Sequence, residues 1–237
     1  MKMIWLDLKR SIAGKWFLIT ILATILLFWV GLGAQATYLA DDIACGYRPA
    51  WNYLLNAALL SATSALTLPA IAALPYAAQG LNEMQSGVFR FAMFRSSKVG
   101  YCLGKMAGCL FSAVLSQALS LAVIIGAGML VGEFDAGYVT HEALSAAIYA
   151  RLLCAGLWSC IAGAAALLTG LTAAIYVAPL ALSYALSMLS RRLLTSVPFI
   201  DPANWLMGQS LPLLCCLLLL AAAAYAALMM KGVEKHA

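Results

Sequence analysis

The chain has 237 residues, of which 65% are apolar and 10% charged, with a mean hydropathy of +0.94 and a formal net charge of +5. Soluble domains run near roughly 45–50% apolar and 25% charged, so water is not this chain's principal solvent. Lys and Arg fall in loops between apolar runs rather than along a basic stripe interleaved with aromatics, which argues against a nucleic-acid partner.

A bilayer core about 30 Å thick takes roughly 20 apolar residues in a helix. Backbone polar groups in lipid must bond within their own helix or within a closed barrel, and no ten-residue alternating segments suggest a barrel. Six apolar runs qualify: 16–34, 54–78, 106–131, 146–168, 171–189 and 211–230. The expected fold is an all-α integral membrane protein with six transmembrane helices, forming one domain over residues 1–237.

Ahead of the first run, Ile4, Trp5, Leu8 and Ile12 fall on one side at helical spacing, with Asp7, Lys9 and Arg10 elsewhere. This predicts an amphipathic helix lying in the inner interface, the alternative being a cytoplasmic extension of span one. Ala34-Gln35-Ala36 has the small residues of a signal-peptidase site, but the preceding run is longer than a usual signal core and is expected to be a retained span. Pro69 and Pro75 in span two, Pro179 in span five and Pro212 at the start of span six are kinks that membrane helices tolerate. Gly100, Gly104 and Gly108, and likewise Gly156, Cys160 and Ala164, repeat every four residues as ridges that let helices pack closely. Thr169-Gly170 is almost the whole connection between spans four and five, which predicts a tight helical hairpin.

With the N-terminus cytoplasmic, segments 1–15, 79–105 and 231–237 hold ten of the 14 Lys and Arg, in accord with the positive-inside rule. The expected location is therefore the cell membrane, with both termini cytoplasmic. Arg191-Arg192 is the discordant pair.

The residues give little chemistry. Seven Cys occur without a Cys-x-x-Cys pair, and buried thiols are expected rather than a disulfide or zinc framework. His141-Glu142 begins like a zinc-protease helix, but position 145 is Ser, and only one other His, His236, exists. Asp41-Asp42 reads as a solvated outer pair. No catalytic or metal site is expected, and the chain is not expected to be an enzyme. Asn56 and Gln117 are the side-chain amides within spans and Arg151 the only ionised residue placed there, and with Pro179 they are the candidate substrate path. Arg151 either attracts an anionic substrate group or snorkels outward to the interface, and Gln117 is expected to bond between helices. With so few buried charges, a proton- or ion-coupled carrier lacks its usual relay groups.

The most polar stretch is residues 79–105, where Asn82 has the spacing to cap a short helix with Gln85 as its reciprocal partner and with an end near Ser86-Gly87 or Arg95. Its order is Glu83, Gly87, Arg90, Phe94, Ser96, Ser97, Lys98 and then Leu103-Gly104-Lys105 entering span three. In this order the chain resembles the membrane subunits of type-2 ABC exporters, and the layout of interfacial helix, six spans, large first inner loop and short second one extends the resemblance to most of its length. Gln85 and Met84 stand where the family often has a second acid, and Ser96-Ser97 where it often has Pro.

The resemblance implies that Leu81, Asn82, Glu83, Gln85, Gly87, Val88, Phe89, Arg90 and Phe91 form a coupling helix against an ATPase subunit. It also implies that residues 190–210, with Pro198 and Pro202, form an outer re-entrant or capping element, and that spans two and five border the path. Gly100 to Met106 is one residue short of a phosphate loop and ends in Met, so ATP and magnesium are expected on a separate ABC ATPase, with no cofactor bound by this chain. The expected partners are that ATPase, a second copy or a paralogous permease, and the lipid bilayer. The expected function is ATP-driven export of an amphipathic peptide, lipid or hydrophobic drug. The alternatives are an ATP-independent carrier or channel, or a non-transporting immunity or sensor subunit.

Overall fold

A computed structural model describes residues 2–33, 35–95, 97–193, 196–208 and 210–236. Ser96 lies outside the described residues, as do the side chains of Ile4, Phe94 and Pro198. The described chain is helical: α1 Lys2–Ala13, α2 Lys15–Leu32, α3 Gln35–Ala44, α4 Trp51–Leu59, α5 Ala62–Ala73, α6 Ala77–Gln85, α7 Val88–Arg95, α8 Lys98–Val131, α9 His141–Thr169, α10 Ala174–Arg192, α11 Pro202–Trp205 and α12 Leu211–His236, with a 3-10 turn at Pro198–Ile200. Among the described residues the sole β-type pairing is an isolated bridge between Ala50 and Glu133.

Five helices, α2, α8, α9, α10 and α12, are long and apolar enough to cross a membrane. The expected second span is not a continuous helix. It is broken into Trp51–Leu59 and Ala62–Gln85, bent by 66°. Ser61 causes the break: its backbone is extended, its Oγ donates to the Ala58 carbonyl, and it also caps α5 by accepting from the Ser64 amide. A second interruption, at residues 74–76, surrounds Pro75, which has no amide to donate. With α4 to α6 counted as one bent passage, the described residues hold up to six candidate spans.

Local signals fix the other ends. Ser97 accepts from the Gly100 amide at the start of α8, and Thr140 accepts from the Ala143 amide at the start of α9. Gly170, at φ +71°, ends α9 in the left-handed conformation and makes the expected hairpin. Residues 85–90, 169–170 and 231–235 meet at one end of the bundle, and residues 35, 48–54 and 133–138 at the other. The segments that carry most of the Lys and Arg thus share one end, here called the loop end.

α9 is the central helix, with 56% of its apolar window buried against 22–28% for the other four. Around it the core has three layers. Tyr76, Tyr101 and Tyr225 pack at the loop end, Trp158 and Trp205 stack 6.0 Å apart further along, and Leu55, Leu121 and Leu144 fill the far end. Gly163 gives Tyr225 its place, since a Cβ there would sit 2.7 Å from the ring. Trp205 belongs to the 190–210 segment, whose described residues after α10 hold a short turn and helix, and its indole donates to the Phe199 carbonyl.

α1 packs along α8. Asp7 and Ser11 point into the bundle while Trp5, Leu6 and Ile12 are exposed. The N-terminal segment is helical, but its polar residues divide: Lys9 and Arg10 are exposed, while Asp7 turns inward, where Lys105 of α8 is its partner. Of the cysteines, Cys102, Cys109, Cys154 and Cys160 are buried, whereas Cys45, Cys215 and Cys216 are exposed, and all seven are free thiols.

Candidate functional site

At the loop end a buried charge cluster joins three helices. Lys105, on the first turns of α8 and fully buried, donates from Nζ to Glu83 Oε1 at 2.6 Å, Asp7 Oδ1 at 2.8 Å and the Tyr76 hydroxyl at 3.1 Å. Tyr76 in turn donates to Asp7 Oδ1 at 2.9 Å, and Tyr101 donates to Glu83 Oε2 at 2.9 Å. Gln79 adds a bond to Glu83 Oε1 at 3.0 Å. All three ammonium protons are committed, which is how a lysine is tolerated out of water. Asp7 Oδ2 is buried and has no hydrogen-bond partner among the described residues. Two carboxylates therefore face one ammonium. Lys105 and Asp7, read from the sequence as a topological charge and as the polar side of a surface helix, are interior residues, so the expectation that ionisable groups are nearly absent inside the bundle is corrected.

The expected coupling residues separate into two faces. Asn82 lies inside α6 and does not cap it, because that helix begins at Ala77. α6 ends at Gln85, and Gly87, at φ +72°, turns the chain into α7. Leu81, Glu83 and Phe89 are buried, while Asn82, Gln85, Val88, Arg90 and Phe91 are exposed, Phe91 to 74%. The Arg90 guanidinium lies 5.9 Å from the centre of the Phe89 ring. Gln85 donates to the Gly170 carbonyl at 2.9 Å, which ties this turn to the α9–α10 hairpin. Between the turn, the hairpin and the last turns of α12 lies a cleft of about 820 Å³, with Arg90, Lys231 and Lys235 on its walls.

The candidate path residues are divided too. Gln117 and Arg151 meet inside the bundle, with Arg151 Nε donating to Gln117 Oε1 at 3.2 Å and Nη1 donating to Ser64 Oγ. Gln117 continues to Thr24 Oγ1 at 2.8 Å, so one polar chain links α2, α8, α9 and α5. Arg151 is 6% exposed, which overturns the snorkelling expectation; the side chain turns inward because neutral acceptors await it there. Asn56 is half-buried on α4 and Pro179 is buried on α10, and neither joins this chain.

No protein-family model, curated protein or solved structure matches the chain. Geometry is left to carry the functional reading. Outside the two polar clusters, Asn52 is fully buried and pins the far-end loop by donating to the Asp135 and Val139 carbonyls at 2.7 and 3.0 Å and accepting from the Asp135 amide. His141 stacks on Phe134 with ring centres 3.8 Å apart. Among the described residues no three His, Cys, Asp or Glu side chains converge for a metal.

Proposed function

We propose that this chain is the transmembrane subunit of an ATP-driven exporter of the type-2 ABC kind, working with a separate ATPase and a second copy or a paralogue, and moving an amphipathic cargo. The observation that carries the reading is the mechanical linkage of the 79–105 loop. Its exposed turn rims the loop-end cleft, Gln85 ties it to the α9–α10 hairpin, and Glu83 ties it through Lys105 to α8 and α1. A load applied at the turn is thus delivered to helices on several sides of the bundle. In this reading Val88, Arg90 and Phe91 touch the ATPase, while Leu81, Glu83 and Phe89 hold the turn in position from below.

The test is affinity purification of the tagged chain in mild detergent with identification of bound proteins. Arg90→Glu combined with Phe91→Ala changes the exposed face and leaves the buried ion pair intact. Recovery of a nucleotide-binding ATPase with the wild type and its loss with the double variant is the expected result. An unchanged complex from both would remove the docking assignment.

A second reading, an ion- or proton-coupled carrier, gains from the buried Asp7–Lys105–Glu83 cluster, since unbalanced buried carboxylates are the groups such carriers use. Purified chain alone moving solute into liposomes under an ion gradient would favour it. A sensor or immunity subunit would show partner binding without flux.

A further inference from the structure

The guanidinium of Arg151 is a buried cation with no ion-pair partner among the described residues. α9 starts at His141, ten residues earlier, which places Arg151 about 15 Å along the helix from its far-end start, inside the packed bundle. Its hydrogen bonds go to Gln117 and Ser64, both neutral, and among the described residues no carboxylate forms an ion pair with it. Lys105, by contrast, has two carboxylates. A buried charge left without a counter-ion is costly, and neutral hydrogen-bond acceptors offset only part of that cost.

Beside Arg151 lies a cavity of about 10 Å³ with Thr24 and Ser64 also on its wall, about the least space that admits one water-sized guest. Phe28 and Ile124 line this cavity and also line a second, apolar pocket of about 220 Å³ that reaches Trp29 and Trp51. The two spaces are therefore neighbours across shared side chains, one offering a positive charge with hydroxyls and the other a place for an alkyl chain.

From this arrangement we infer that Arg151 is the recognition point for a single negative charge, supplied either by a halide-sized ion or by the anionic end of an amphipath whose chain occupies the pocket beside Phe28. The second source deepens the export reading by assigning the sign of the cargo's charge, and it rests on that reading. The binding itself does not require an ATPase, so its test is made on the isolated chain.

The experiment uses the full chain in phosphatidylcholine nanodiscs, with a dodecanoate brominated along its tail as quencher of tryptophan fluorescence. The matching brominated dodecanol is the uncharged control, and chloride against gluconate is the second arm. Saturable quenching by the carboxylate and not by the alcohol, reduced when Trp29 and Trp51 are both replaced by Phe, is the result expected for an amphipath. Arg151→Lys keeps the charge and loses the fork, and should weaken binding by roughly ten- to a hundredfold, the range for hydrogen bonds to a charged group. Stabilisation of the wild type against heat by chloride alone, absent in Arg151→Met, supports the inference with a free ion as the ligand. No quenching and no chloride effect, with Arg151→Met as folded and as heat-stable as the wild type, overturns it.

Discussion

Glu83 Oε1 stands 2.6 Å from Lys105 Nζ, so the first acid of the loop motif closes onto the lysine that ends it, 22 positions later. The loop is thereby a ring fastened at its neck, with α7 and the residues around Gly87 as its arc, which Phe89 anchors in the core and Gln85 ties to the hairpin. Asp7 shares the same ammonium, and the neck includes the N-terminal helix.

The imbalance in this cluster makes its members unequal. Lys105→Met leaves two buried carboxylates facing one another and should cost about 3–5 kcal/mol. Asp7→Asn retains an oxygen for Lys105 and Tyr76 while removing the excess negative charge, and should cost less than half as much. Thermal unfolding of the two variants in detergent ranks them; equal losses would mean that the charges of the cluster are already balanced.

Close packing at Gly163 gives a second expectation. A methyl there meets the Tyr225 ring at 2.7 Å, and Tyr225 is buried on every side. Gly163→Ala should destabilise the bundle by about 1–3 kcal/mol, as overpacking does. Pairing it with Tyr225→Leu should recover part of that loss, which unfolding temperatures of the single and double variants would reveal.

At the far end, Asn52 satisfies two carbonyls and one amide of the 135–139 loop. Asn52→Leu leaves these groups unpaired, and a loss of about 1–3 kcal/mol for each buried one left without water is expected. Hydrogen exchange at the amides of residues 133–140 should accelerate while the centre of α9 stays protected; unchanged exchange there would assign the loop's order to other contacts.

Orientation is open to direct chemistry. Cys45 is exposed at the far end, whereas Cys102, Cys109, Cys154 and Cys160 are buried. In intact cells a membrane-impermeant maleimide should label a variant retaining Cys45 alone, if the loop end faces the cytoplasm as the Lys and Arg distribution predicts. Labelling only after the cells are opened would invert the chain.

The apolar runs of α2, α8, α9, α10 and α12 were legible because hydropathy is a one-dimensional property that survives without knowledge of neighbours. The break in the second run was written in one residue, Ser61, whose role depends on whether its hydroxyl bonds back to Ala58 or outward, and an apolar count is blind to that choice. Lys105 was misplaced for a different reason. It adjoins the basic loop in sequence, and only the approach of α1 and α6 reveals that its ammonium is enclosed. Arg151 posed the same problem: its rotation about the axis of α9 decides between water and interior, and the Gln117 and Ser64 acceptors that decide it lie 34 and 87 positions away. The order Glu83, Gly87, Arg90 and Lys105 was visible as a pattern, yet the division of that loop into a buried and an exposed side required the turn at Gly87.

α8 has 34 residues and so extends about 51 Å, well beyond a hydrocarbon layer of about 30 Å. Tilt alone would have to exceed 50° to hide it, outside the range of about 0–40° seen for membrane helices. About 20 Å of a helix this long extends past such a layer, and Lys105 stands seven residues after its first residue, Lys98. At that point Asp7 of α1 and Glu83 of α6 grip the helix, so its first two turns are the short arm of a lever whose fulcrum is an ion pair.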